Sequence, residues 1–229
     1  MTIKNRYVKR AKLSETKFRQ LVKFFSLDLN AQTIALLTKL NRNTVNRYLT
    51  LIRKRIAEFC ELQSPFKSDL QVYESSFGDK CIDEKKGKRG GGVSRNTPVF
   101  GIFKREGKVY TEMVPDCGKA TLQAMIRGRV SPEVVIHSDG WRGYDGLVDL
   151  GYKKHYRINN GADECLKRKN QLNGIETFWA YAKGRLAKFH GISDSTFYLH
   201  LKECEFRFNC KDKNIHKLLL KMFKEYPLF

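Results

Sequence analysis

The chain has 229 residues, 41% of them hydrophobic and 15 of them Phe, enough for one sizeable domain and a small one with buried cores. Its net charge of +20, from 44 Lys and Arg against 24 Asp and Glu, favours polyanionic partners, and no apolar run approaches the roughly 20 residues of a membrane span. Six cysteines without C-x-x-C spacing, and five scattered histidines, argue against a disulfide framework or structural zinc and fit a reduced compartment with no signal peptide.

Residues 1–62 read as all helical. Phe18, Leu21, Val22 and Phe25 recur at helical spacing within Ser14–Leu27. A second helix over Ala31–Leu40 is separated by Asn41-Arg42-Asn43 from a third, for which Asn43 is a good N-cap. In that third helix Val45, Leu49, Ile52, Ile56 and Phe59 form an amphipathic stripe. Short helix, tight turn and polar N-terminal face describe a helix-turn-helix, in which Arg42, Thr44, Asn46 and Arg47 face the major groove and Arg53, Lys54 and Arg55 lie nearer phosphates. A three-helix bundle with solvated charges fits the helical pattern equally well. Residues 1–64 hold 14 basic and 4 acidic side chains, half of the whole excess.

Ser64-Pro65-Phe66 ends the helical part and starts a domain over 65–212, leaving 213–229 as a C-terminal tail. Strands are expected at about 69–77, 97–104 and 108–115, a helix near 118–129, a strand at 133–138, a helix near 141–150, a strand at 153–158, and helices over 173–190 and 194–209. Three strands followed by alternating helices and strands suit an α/β fold, a mixed sheet with flanking helices. The loop 80–96 gathers Lys80, Lys85, Lys86, Lys88, Arg89 and Arg95 around four glycines, so it can follow a phosphate chain or serve as a solvated hairpin connection. It is no P-loop, because G-x(4)-G-K-[ST] is absent. The segment 160–170, with Lys167, Arg168 and Lys169, is a second, less distinctive candidate.

Three residues stand out as chemistry. Asp139 follows the β-branched run Val134-Val135-Ile136 and precedes Gly140, which puts it at a strand's C-terminal edge. Glu176 and Lys183 are seven residues apart, about 700° at roughly 100° per residue, and share a helix face. Ile175, Phe178, Ala182, Leu186 and Phe189 form the packing stripe. His137 reads as a structural histidine on the strand that carries Asp139.

These blocks resemble the DDE transposases of a small bacterial insertion-sequence group, in which a helix-turn-helix precedes an RNase H-like domain with NGIE-x-FW-x(3)-K. The resemblance runs from about Gln71 to Asn209. It includes FGDK (77–80), KGKRGGG (86–92), TPVFGIFKREGKV (97–109), SDGWRGYDGL (138–147), HYR (155–157), NGIETFWAYAK (173–183) and LHLKECEFRFN (199–209). It implies Asp139 and Glu176 as the second and third metal-binding acids, and Lys183 as the basic residue seven positions after the glutamate. The first acid departs from the pattern. Where the family has Asp-Glu a few residues before Phe-Gly, this chain has Tyr73-Glu74, then Ser75-Ser76-Phe77-Gly78. A neutral phenol binds hard cations poorly. Asp69 would lie about 13 Å back along an extended strand, and Glu74 would point to the opposite face.

The resemblance implies an enzyme that binds the ends of its element as double-stranded DNA. Two Mg²⁺ ions, replaceable by Mn²⁺, would serve end cleavage and strand transfer to target DNA. Lys183 would contact a phosphate, and Lys86, Lys88 and Arg89 with Arg42, Thr44, Asn46, Arg47, Arg53 and Lys54 would hold DNA. A homo-oligomer on DNA is expected of such an enzyme, and the cysteine usage, with no signal peptide and no membrane span, places the chain in the bacterial cytoplasm, at the nucleoid. An inactive remnant that represses intact copies is the alternative that Tyr73 favours. A host helix-turn-helix regulator would leave the Glu176 and Lys183 face unexplained.

Overall fold

A computed structural model describes residues 5–62, 70–77, 97–104, 107–116, 118–139, 146–147, 150–158, 165–189 and 192–229. In chain order its elements are α1 (Glu15–Ser26), α2 (Ala31–Thr38), α3 (Arg42–Glu61), β1 (Leu70–Phe77), β2 (Thr97–Lys104), β3 (Val109–Met113), α4 (Lys119–Arg129), β4 (Val135–Asp139), β5 (Lys154–Ile158), α5 (Cys165–Leu186), α6 (Asp194–Asn209) and α7 (Ile215–Glu225). The chain divides into two compact units, Met1–Glu61 with Phe206–Phe229, and Leu62–Glu205.

In the first unit, helices begin where the sequence supplies a capping side chain. Ser14 accepts from the Lys17 N–H, Asn30 from Thr33 and Asn214 from Lys217, each filling one orphan donor of a first turn. The expected cap of α3 shifts by two residues. The Asn41 carbonyl accepts from the Val45 N–H and its side chain from the Asn43 N–H, so Asn41 is the cap and Asn43 lies in the first turn. Two asparagines two apart compete for this place, and Lys39, in the left-handed region at φ 55°, has already ended α2.

The core joins Phe18, Leu21, Val22 and Phe25 of α1 to Val45, Leu49, Ile52 and Ile56 of α3, the stripes expected from spacing. Within residues 213–229, expected as a tail, Ile215–Glu225 form α7. Leu219, Met222 and Phe223 are buried in this same core, with the Phe223 ring 6.0 Å from that of Phe18. Ile215, Leu219 and Met222 carry the helical period after Asn214, so the signal was present in the sequence. Arg207 completes the unit by donating to the Phe25 and Ser26 carbonyls at the C-terminal end of α1, where a cation is favoured.

The second unit is built on a five-stranded mixed sheet of order β3-β2-β1-β4-β5. β1 to β3 form an antiparallel meander, and β4 and β5 run parallel to β1. Val72, Phe100, Ile102 and Ile136 belong to one face, packed with Leu122 and Ile126 of α4. The residues of β2 in alternation with these, Gly101 and Phe103, meet α5. The expected helix near 141–150 falls largely outside the described residues, and its described members Gly146, Leu147 and Leu150 are in turns. α5 starts at Cys165, eight residues before the expected 173. The run Leu166–Leu172 is rich in strong helix formers, which extend the helix through Lys167, Arg168 and Lys169, read from charge alone as a loop.

Candidate active site and nucleic-acid interface

Two neighbouring strands and one helix assemble the sequence-picked acid positions. Leu70, Gln71 and Val72 of β1 pair in register with Ile136, His137 and Ser138 of β4, and the next residues on the two strands are Tyr73 and Asp139. The backbone thus puts positions 73 and 139 side by side at one end of the sheet. On its other side Tyr73 is the partner of Gly101 in β2. α5 crosses here: a Cβ on Gly101 would lie 2.5 Å from Trp179 Cζ2 and 3.1 Å from Ile175 Cδ1. Ile175 and Trp179 bracket Glu176, so the segment that carries the glutamate crosses the sheet level with Tyr73.

The two faces of α5 are those the spacing gives. Ile175, Phe178, Ala182 and Leu186 are buried, with Phe189 half-buried, and Glu176 and Lys183 are exposed. Glycine makes the close approach. Gly101 admits the Trp179 ring, and a Cβ on Gly174 would collide with the Phe103 ring. Both glycines lie in quoted motifs, but their packing role was missed. An isolated Gly inside a strand pattern is the signal that points to such contact.

The neighbouring histidines are structural. The His137 ring stacks on that of Tyr156, its register partner, at 5.3 Å and 21° between planes. His155 Nε2 is 2.7 Å from the Ser138 hydroxyl, which ties β5 to the residue before Asp139. Burial, and next the nearby His137, hold the His155 imidazole below its ordinary titration range.

Two buried ion pairs went unread in the sequence. Arg185 of α5 meets Glu203 of α6, both nearly inaccessible. Lys202 and Glu205 of α6 pair at 3.1 Å and together grip β3: Glu205 accepts from the Thr111 N–H and hydroxyl at 2.8 Å, and Lys202 donates to the Thr111 carbonyl at 2.7 Å. β3 is an outer strand, so these side chains satisfy backbone groups that a further strand would otherwise pair. Burial pushes the Glu205 carboxyl upward, against the opposing pull of Lys202 and the Thr111 donors. The signal was four charged residues, at 202, 203, 205 and 207, within a phenylalanine-rich helix, which cannot all face solvent.

In the first unit the turn between α2 and α3 spans residues 39–41. Arg42, Asn46, Arg47 and Lys54 are exposed, and Thr44 and Arg53 half-buried. The Arg53 guanidinium is 5.8 Å from the Phe25 ring. Arg55, expected nearer phosphates, is half-buried, donates to the Pro227 carbonyl and pairs with Glu58 at 2.8 Å. The unit holds 20 basic and 6 acidic side chains, a net +14, so the C-terminal segment adds to the basic excess of the first third. Lys86, Lys88 and Arg89 lie outside the described residues.

Among the described residues no three His, Cys, Asp or Glu side chains converge on one point. Two carboxylates and a phenol, the donors at positions 139, 176 and 73, fall one carboxylate short of a bridged pair of hard cations. No helix among the described residues is long and apolar enough to cross a membrane.

Residues 77–209 match the family model of the ISXO2-like transposase domain. The chain belongs to that transposase family. The matched span begins at Phe77, after Tyr73, and ends with α6. An uncharacterized transposase-like protein of Haemophilus influenzae is 44% identical over 102 residues, 44% of this transposase chain and 81% of the relative. Among solved structures, the catalytic core domain of BIV integrase is similar with a TM-score of 0.39 at 12% identity, covering 66% of this chain and 93% of that one. The Mos1 transposase paired-end complex with left transposon end is similar with a TM-score of 0.26 at 11% identity, covering 85% and 76%.

Proposed function

We propose that this member of the family is an insertion-sequence transposase with an RNase H-like catalytic unit, whose DNA handling is intact and whose hydrolytic site is impaired at Tyr73. In this reading α2, the turn and α3 form a helix-turn-helix that binds element ends, and a second copy on DNA brings two ends together at the nucleoid. Asp139 and Glu176 are the carboxylates available to hold Mg²⁺, or Mn²⁺ in its place. Such ions, when bound, supply the activation of the attacking oxygen and offset charge on the transferring phosphoryl group. Lys183 meets a DNA phosphate as a point charge.

The observation that carries the reading is the exposed pair Glu176 and Lys183 on one face of α5, opposite the buried Ile175, Phe178 and Ala182 and level with Tyr73 of β1. Glu176 is exposed on this face, away from the buried stripe. Tyr73 also favours a second reading, an inactive remnant that occupies element ends and represses intact copies. Comparing Mg²⁺- or Mn²⁺-dependent cleavage of element-end DNA by the chain and by Tyr73→Asp separates the two. A vacant ligand position predicts a gain on the order of a thousandfold or more in the revertant. Equal activity of the two proteins refutes the vacancy.

A further inference from the structure

The N-terminal residues fold into a braced loop beside α3. Asn5 is buried, donates to the Leu13 carbonyl at 3.1 Å and accepts from the Tyr7 N–H at 3.0 Å, which closes residues 5–13 on themselves. The loop's root is pinned by the last residues of the chain. Val8 bridges Leu228, Lys9 N–H donates to the Leu228 carbonyl at 2.8 Å, and Leu228 N–H donates to that of Tyr7 at 2.9 Å. Val8 and Leu228 are both buried in the unit's core. At the tip Lys9, Arg10 and Lys12 are exposed, and Arg10 sits at φ 53°, a conformation that costs a non-glycine residue and that the surrounding bonds impose. The Lys9 ammonium is 4.1 Å from the Phe229 ring centroid, so the C-terminal residue also orients that cation.

Between this loop and α3 is a cavity of about 270 Å³, lined by Lys9, Arg10, Lys12, Thr44, Arg47 and Tyr48 among others. Four of its lining residues have cationic side chains and none has an acidic one, and Phe229 also lines it. The nearby Glu15 is held by Arg6 at 3.0 Å and does not line it. Like charges gathered on a rigid frame repel one another, and an anion set among them relieves that repulsion. Arg47 belongs both to this cavity and to the α3 face assigned to base edges, so the anion that reaches it lies on the same polymer.

We propose that the loop Lys9–Lys12 is a second DNA-contacting element, which takes a backbone phosphate of duplex DNA into the cavity shared with Arg47 while α3 lies in the adjacent groove. The inference rests on the reading of the first unit as DNA-binding and adds a clamp whose root, Tyr7 to Lys9, is held by Leu228. Each phosphate contact contributes about 0.9 to the slope of log affinity against log salt, whatever the sequence.

The test uses the full chain and a fluorescein-labelled, mixed-sequence duplex of about 30 base pairs, followed by anisotropy between about 50 and 200 mM NaCl. One variant combines Lys9→Gln, Arg10→Asn, which tolerates the left-handed region, and Lys12→Gln. A control removes the same charge from exposed positions of α7 by Lys217→Gln, Lys221→Gln and Lys224→Gln. The loop variant should lose about tenfold or more in affinity and flatten the slope by about one, the contribution of a single phosphate contact. The control should change affinity less than about threefold. Equal losses in the two triple variants, or an unchanged slope with the loop variant, overturn the clamp. Absence of wild-type binding at low salt overturns the DNA-binding reading of the unit, and the clamp with it.

Discussion

Gly101→Ala is the most informative single substitution in the second unit. The new Cβ would lie 2.5 Å from Trp179 Cζ2, 2.9 Å from Cη2 and 3.1 Å from Ile175 Cδ1, where carbons normally rest at about 3.5–4.0 Å. The indole cannot simply swing away. It is 7% exposed, and its centroid is 5.0 Å from that of the Phe178 ring, so a displacement of about 1 Å must be shared by α5. Overpacking of this kind costs about 1–3 kcal/mol, or about 3–10 °C in Tm for a chain of this size. Thermal unfolding of four proteins tests the cause: wild type, Gly101→Ala, Trp179→Phe and the double variant. Phenylalanine removes the atoms that collide, so in the Trp179→Phe background the alanine should cost less than about 1 kcal/mol, a coupling that a double-mutant cycle reads directly. An equal cost in both backgrounds, or none in either, refutes the close approach of α5 to β2.

Phe223→Ala removes a fully buried ring and should destabilise the first unit by about 3–5 kcal/mol, read by denaturant unfolding; a loss under about 1 kcal/mol would mean that α7 is the appendage the sequence suggested. Lys202→Ala leaves the Glu205 carboxylate buried without its cation and should cost about 3–5 kcal/mol at neutral pH, whereas exposed Lys183→Ala should stay within about 0.5 kcal/mol; similar Tm values for the two would deny the grip on β3. His155 is depressed below its unfolded value of 6.5, so its folded site binds fewer protons and its contribution, present above 6.5, is lost as pH falls through the lower folded value. His155→Asn should remove that part of the acid-side decline in Tm, and a pH profile parallel to wild type contradicts the assignment.

Period and punctuation carried most of the fold. β2 has the bounds that its β-rich run between breaks suggests, and α6 those of its helical pattern. The buried stripe of α5 is visible because Ile175, Phe178 and Ala182 step at helical intervals. What stayed hidden depended on partners distant in the chain. Lys202, Glu203, Glu205 and Arg207 look solvated until Thr111, Arg185 and Phe25 arrive beside them. α7 has a helical period, but its partner Phe18 lies some two hundred residues away, and a short terminal segment of mixed charge reads as a tail. Position 73 is the opposite case: its tyrosine is plain in the sequence, and strand register supplies its place beside position 139.

Cleavage of element-end DNA with Mg²⁺ or Mn²⁺, by Tyr73→Asp with and without Glu176→Gln, tests the catalytic assignment most directly. Tyr73→Asp should cleave, and adding Glu176→Gln should abolish cleavage while leaving Tm within a few degrees, because Glu176 is exposed on α5. A Tyr73→Asp protein that cleaves equally well without the glutamate, or a Glu176→Gln protein that unfolds as readily as one that has lost a buried ring, would contradict the placement of the active site on this helix face.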